Sequence, residues 1–117
     1  SNRKVPDQMA LLTGAELAEN LEITYVAPDA AVLDDVALAA SDLIGYLITP
    51  AAVLSEPAAV KQATMSVGVE IFQARTAAGG ESVSVDFTAG PYRLSVWVTK
   101  RVMALLTPYL DMKSQVG

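Results

Sequence analysis

A mainly α-helical domain is predicted, a small bundle of about four helices with an extended arm or β-hairpin before the last one. Three observations carry this reading. Residues 57–78, PAAVKQATMSVGVEIFQARTAA, are apolar nearly all round a helical wheel. Residues 29–47 repeat their apolar positions at helical spacing between Pro28 and Thr49-Pro50. After Gly79-Gly80 the apolar period shortens from about 3.6 residues to 2, the spacing of a strand.

The 117 residues make one domain, 1–117. A chain of this length buries roughly 65% of its unfolded surface, enough for a core without covalent staples. Cysteine and histidine are both absent. That excludes disulfides, thiolate chemistry, zinc–sulfur sites and the usual neutral-pH acid–base. No apolar run is long enough to span a bilayer, and no signal peptide is expected. The net charge of −5 is unevenly spread. From residue 93 onward Arg93, Lys100, Arg101 and Lys113 face one acid, Asp111, a local +3 that leaves −8 for residues 1–92. An acidic body lacks the clustered cations of a nucleic-acid footprint. The split is either ordinary surface charge or a pair of complementary patches that meet between neighbouring copies.

In chain order, residues 1–10 form a polar lead-in and residues 11–78 the helical body. Thr13 and Glu16 have the spacing of a capping box, with Leu12 and Leu17 as a hydrophobic staple, and open a short helix over about residues 14–20. Residues 22–27 connect to a second helix, about residues 29–47. There Pro28 and Asp29 suit the N-terminus, and Thr49-Pro50 ends it. Val32, Val36, Ala40, Leu43 and Leu47 share its inner face with Leu33 and Ile44 alongside, while Asp35 and Asp42 lie opposite and Leu38 projects near them. Residues 51–56 form a loop with room for one helical turn.

Ser55 and Pro57 are then expected to open the long central helix, with Val60, Thr64, Val67, Ile71 and Ala74 on one face and Met65, Val69 and Phe72 on a second. Gln62, Ser66, Glu70 and Gln73 make its narrow polar sector. Gly68, mid-helix, points to close packing of another helix. ESVSVDF and YRLSVWV alternate around TAGP, so residues 79–98 read as a hairpin or as an extended arm. Thr99 is expected to cap a last helix over 99–110 that Pro108 limits, followed by a tail over 111–117.

Chemistry is sparse. No phosphate loop, dinucleotide fingerprint or nucleophile elbow is present. Asp34-Asp35 with Asp42 is the one acidic grouping that invites a divalent ion, but adjacent helical residues diverge by about 100°, and a solvated helix face is the plain alternative. The interface candidates are Tyr92, Arg93, Trp97, Lys100, Arg101 and Tyr109, of residue types enriched at binding hot spots, with Leu38, Asp34, Asp35 and Asp42 as a second group. Covering a small core is the alternative role for Trp97 and Tyr92.

The order LLTGAELAENLEI, LDDVALAASDLIGYLI, PAAVKQATMSVGVEIFQAR, VDFTAGPYRLS and LLTPYL resembles the head–tail connector (head-completion adaptor) family of long-tailed bacteriophages. The likeness covers residues 11–109 and departs from the family pattern in residues 92–101, where this chain reads RLSVWVTKR at 93–101. It implies a structural neck protein of the virion, made in the host cytoplasm. Such a subunit docks on the portal protein as a homo-oligomeric ring, commonly a dodecamer, and receives the next, stopper-type neck protein. DNA is only its passing cargo, and the resemblance implies no enzyme activity, cofactor or membrane. A non-enzymatic module that grips a peptide or helix of a partner protein is the alternative function. A small enzyme is disfavoured by the lack of histidine, cysteine and convergent carboxylates.

Overall fold

Thr13 starts the helical body as its spacing to Glu16 implies. The Thr13 side chain accepts from the Glu16 backbone N–H at 3.1 Å, and the Glu16 carboxylate accepts from the Thr13 N–H at 2.9 Å. This reciprocal cap opens α1 (Gly14–Leu21), which closes on Glu22 in the left-handed conformation (φ 60°). The computed structural model describes residues 10–77 and 95–111. Among them α1 is followed by α2 (Asp29–Leu47), α3 (Pro50–Ser55), α4 (Ala58–Ala77) and α5 (Val96–Leu106), then a 3₁₀ turn over Thr107–Tyr109. The described residues are mainly helical and form a small bundle with no named strand, only an isolated antiparallel bridge between Ile48 and Leu110.

α4 is the centre. It packs against α2 on one flank and α5 on the other, and α1 lies across α2 and α4. Val60, Ala63, Thr64, Val67 and Ile71 of α4 are fully buried, while Met65, Val69 and Phe72 are half-covered against the same core. From α2 come Leu33, Val36, Ala37, Ala40 and Ile44, and from α5 Val98, Val102 and Leu106 at i, i+4 spacing. Leu12 and Leu17 meet over Gly68, where a Cβ would lie 2.7 Å from Leu12 Cδ2 and 3.5 Å from Leu17 Cδ1. Gly68 therefore admits the first helix to the central one, as the sequence implied.

Gly14 plays the same part more tightly. A Cβ there would stand 2.8 Å from the Asp34 backbone nitrogen and 3.0 Å from its Cα, so the backbones of α1 and α2 touch. Buried hydroxyls find backbone partners. Ser41 Oγ accepts from the Leu11 and Leu12 N–H groups (3.2 and 3.0 Å) and donates to Ala37 O (2.8 Å), while Thr64 Oγ1 donates to Val60 O (2.8 Å). At the opposite end of the core, Thr49 N–H donates to Tyr109 O at 3.0 Å and Asp111 N–H to Leu47 O at 2.8 Å, tying the end of α5 to the end of α2.

Three boundaries differ from the sequence reading. Residues 50–55 form a true helix, capped by the Thr49 side chain with Pro50 in its first turn, so Ser55 ends α3 and does not open α4. Glu56, left-handed at φ 50°, separates the two helices, and Pro57 O accepts the first α4 bond, from Lys61 N–H. The last helix begins at Val96, not at a Thr99 cap, so 96–98 leave the arm assigned to 79–98. Ser95 is its cap, accepting from Val98 N–H at 3.1 Å. The helix also ends sooner than residue 110, because Pro108 is taken up in the 3₁₀ turn. Gly79-Gly80 and the alternating segment up to residue 94 lie outside the described residues, as do residues 1–9 and 112–117.

Candidate interaction surfaces

The exposed side of α2 gathers the second group of predicted residues. Leu38 is 52% exposed, and Asp34, Asp35 and Asp42 are all at the surface. They are not equivalent. Asp34 Oδ1 accepts the Tyr25 hydroxyl at 2.6 Å, beside the Gly14 contact. That bond, then partial desolvation and the neighbouring carboxylate charge, hold the Tyr25 phenol above its usual pKa, since ionising it would break the bond and set two anions side by side. Asp35 pairs with Arg75 at 2.9 Å, which joins the first half of α2 to the last turns of α4. Asp42 has no such partner among the described residues and stands between Leu38 and Tyr46 on the outer face, Tyr46 being 70% exposed. No group of three or more carboxylates among the described residues is placed to hold a metal ion, so Asp34, Asp35 and Asp42 do not converge as a cation site.

The other flank is basic and aromatic. Trp97 is 66% exposed, and the Arg101 guanidinium lies over its ring at 5.5 Å, one helical turn on. Lys100 is exposed beside them, and Val96 is 73% exposed. Trp97 thus does not cover the core; Val98, Val102 and Leu106 do that from the inner side of α5. Tyr109 is half-buried and serves through its backbone carbonyl, while Tyr92 and Arg93 lie outside the described residues.

Between α4 and α5 runs a groove of about 500 Å³, floored by the polar sector of α4, with Gln62, Ser66 and Glu70, and walled by Trp97 and Arg101. It continues through Gln62, Met65 and Asn20 into a second hollow of about 410 Å³ against Leu11, Leu12 and Lys61. In sequence Glu70 belongs to the narrow polar sector of α4, which faces solvent or a partner. Its carboxylate accepts from the Ser95 N–H (2.7 Å) and hydroxyl (3.3 Å), capping α5 from another helix. A carboxylate at a helix N-terminus also meets the positive end of the helix dipole. Lys61 spans α1 and the α4 entrance, 3.5 Å from Glu56 and 3.8 Å from Glu16.

No helix among the described residues is long and apolar enough to cross a membrane. In comparisons with known proteins, no family model matches the chain, and no curated protein or solved structure shows significant similarity to it.

Proposed function

We propose that this chain is a structural adaptor of the phage neck, a ring subunit that docks on the portal and passes the DNA-filled head on to the next neck component. The family resemblance in residues 11–109 motivates the reading. The observation that supports it best is the placement of unlike surfaces on the two flanks of α4. An acidic face with an exposed leucine lies on α2, and a cationic face with an exposed indole lies on α5. A ring built head to tail needs two different, complementary surfaces on every subunit. The acidic excess over residues 1–92 also suits a channel through which DNA slides without cation contacts to hold it.

The test is to mix the chain with purified portal rings and read the mass of the complex. The adaptor reading expects stoichiometric rings on the portal, and reversing Lys100 and Arg101 to glutamate impairs their formation. No binding to portals, or rings indifferent to the reversal, would count against it.

The groove between α4 and α5 supports a second reading, a binding module for a peptide or helix of another protein. Such a module would bind its partner one to one, without ring formation, and would be insensitive to changes on the outer face of α2.

A further inference from the structure

Three glycines lie within the described helices, and two are explained by the chain itself. A Cβ at Gly14 would press on the backbone of α2, and one at Gly68 would strike Leu12. Gly45 differs: a Cβ there would meet nothing within 4 Å. Glycine inside a helix is destabilising by roughly 0.5–1 kcal/mol relative to alanine, and no neighbour among the described residues calls for it. Gly45 follows Leu38 by seven residues, nearly two helical turns, so the two sit one above the other on the outer face of α2 with Asp42 between them. The result is a notch in an exposed helix, edged by an apolar side chain and by an acid that has no partner among the described residues.

We propose that this notch is a docking site for a second copy of this chain, filled by the outer face of the neighbour's α5, with Trp97 over Gly45 and Lys100 or Arg101 against Asp42. Charge complementarity identifies the occupant. The exposed face of α5 carries two cations around a large, flat, exposed side chain, and the exposed face of α2 carries the acids and the missing side chain. Asp34 and Asp35 are engaged within the chain by Tyr25 and Arg75, which leaves Asp42 as the acid of that face with no cation on it among the described residues. Each surface recurs once per chain, on different helices, so the contact is head to tail and propagates. One helix face on another buries less than the ~1,200 Å² at the lower end of stable complexes, so single contacts are weak and strengthen with concentration. The proposal rests on the ring reading for its head-to-tail arrangement, but its test is made on the isolated chain, without portal.

The absence of cysteine makes that test direct. Tyr46→Cys, beside the notch, and Val96→Cys, beside the indole, are prepared separately, mixed at the highest soluble concentration and oxidised mildly. The mixture is expected to give a covalent dimer containing one of each, and either variant alone very little. Gly45→Leu is expected to fold, since its side chain enters open space, and to abolish the cross-link in the Tyr46→Cys background. Trp97→Ala is expected to weaken self-association about 30-fold, as loss of a buried aromatic anchor does. No mixed dimer, equal cross-linking by each variant alone, or a mixed dimer that persists with Gly45→Leu would overturn the proposal. A chain that cross-links in this way yet ignores portal rings would refute the neck reading and leave the docking site standing. Portal binding without the mixed dimer would do the reverse.

Discussion

The two flanks of α4 are attached in different ways. On the α2 side the fit is close and enclosed. Gly14 brings two backbones together, Gly68 receives Leu12 and Leu17, and Ser41 secures the Leu11 and Leu12 amides from within. On the α5 side, three buried residues (Val98, Val102 and Leu106), the half-covered Leu105 and one carboxylate cap hold an 11-residue helix whose outer side, with Val96, Trp97, Lys100 and Arg101, is exposed among the described residues. Each of those apolar side chains contributes about 1.5–3 kcal/mol by burial, enough to seat the helix. The difference separates residues set by packing within the chain from residues that such packing leaves unexplained. Trp97, Lys100 and Arg101 on α5, and Leu38, Asp42 and Gly45 on α2, fall in the second class.

Substitutions can break or sharpen this contrast. The largest effect is expected at Gly14→Ala. Its Cβ meets α2 backbone, which cannot swing aside as a side chain can, so a loss of about 3 kcal/mol is expected by denaturant unfolding. Ser41→Ala leaves two buried N–H groups without their acceptor and costs about 2 kcal/mol in the same assay. On the other flank, Glu70→Ala costs about 1 kcal/mol and acts locally: amide hydrogen exchange speeds up in the first turns of α5 while α2 keeps its protection. Global loosening from Glu70→Ala would erase the distinction between the flanks. Gly45→Ala reverses the sign, raising stability by about 0.5–1 kcal/mol, because none of the described residues occupies the space.

The smallest effect concerns pH. The Tyr25 phenol is held protonated in the fold, so its bond to Asp34 adds stability below the unfolded phenol value near 10 and loses it as pH rises through the higher folded value. Ultraviolet titration of tyrosinate should show Tyr25 ionising at lower pH in Asp34→Asn than in the wild type.

Much of the body was legible because its signals are local. Pro28 and Thr49-Pro50 bracket α2, Thr13 and Glu16 cap α1, and the apolar circumference of the 57–78 stretch marks α4, whose helix runs Ala58–Ala77. Gly68 was readable because a mid-helix glycine asks for a neighbour. The start of α5 was not. YRLSVWV alternates as a strand does and carries residues 96–98 with it, although Val96, Trp97 and Val98 are all apolar and by themselves fit a period of 2 or of 3.6. What decides it is the Ser95 cap together with Glu70, a partner 25 positions away. The acids posed the same difficulty: Asp35 is engaged by Arg75, 40 positions on, so their inequality belongs to the tertiary fold. Gly45 carries no signal in sequence because its meaning is an empty space, visible only once its neighbours are placed.

Trp97 is the sole tryptophan, which makes its own fluorescence the most direct test that the outer face of α5 serves a partner and not the fold. At low concentration the isolated chain should emit as a solvated indole and be quenched readily by iodide, given 66% exposure. On assembly, either by raising the concentration or by adding portal rings, the emission should shift to the blue and the quenching should fall sharply. Unchanged emission and quenching in complexes of verified mass would contradict the account.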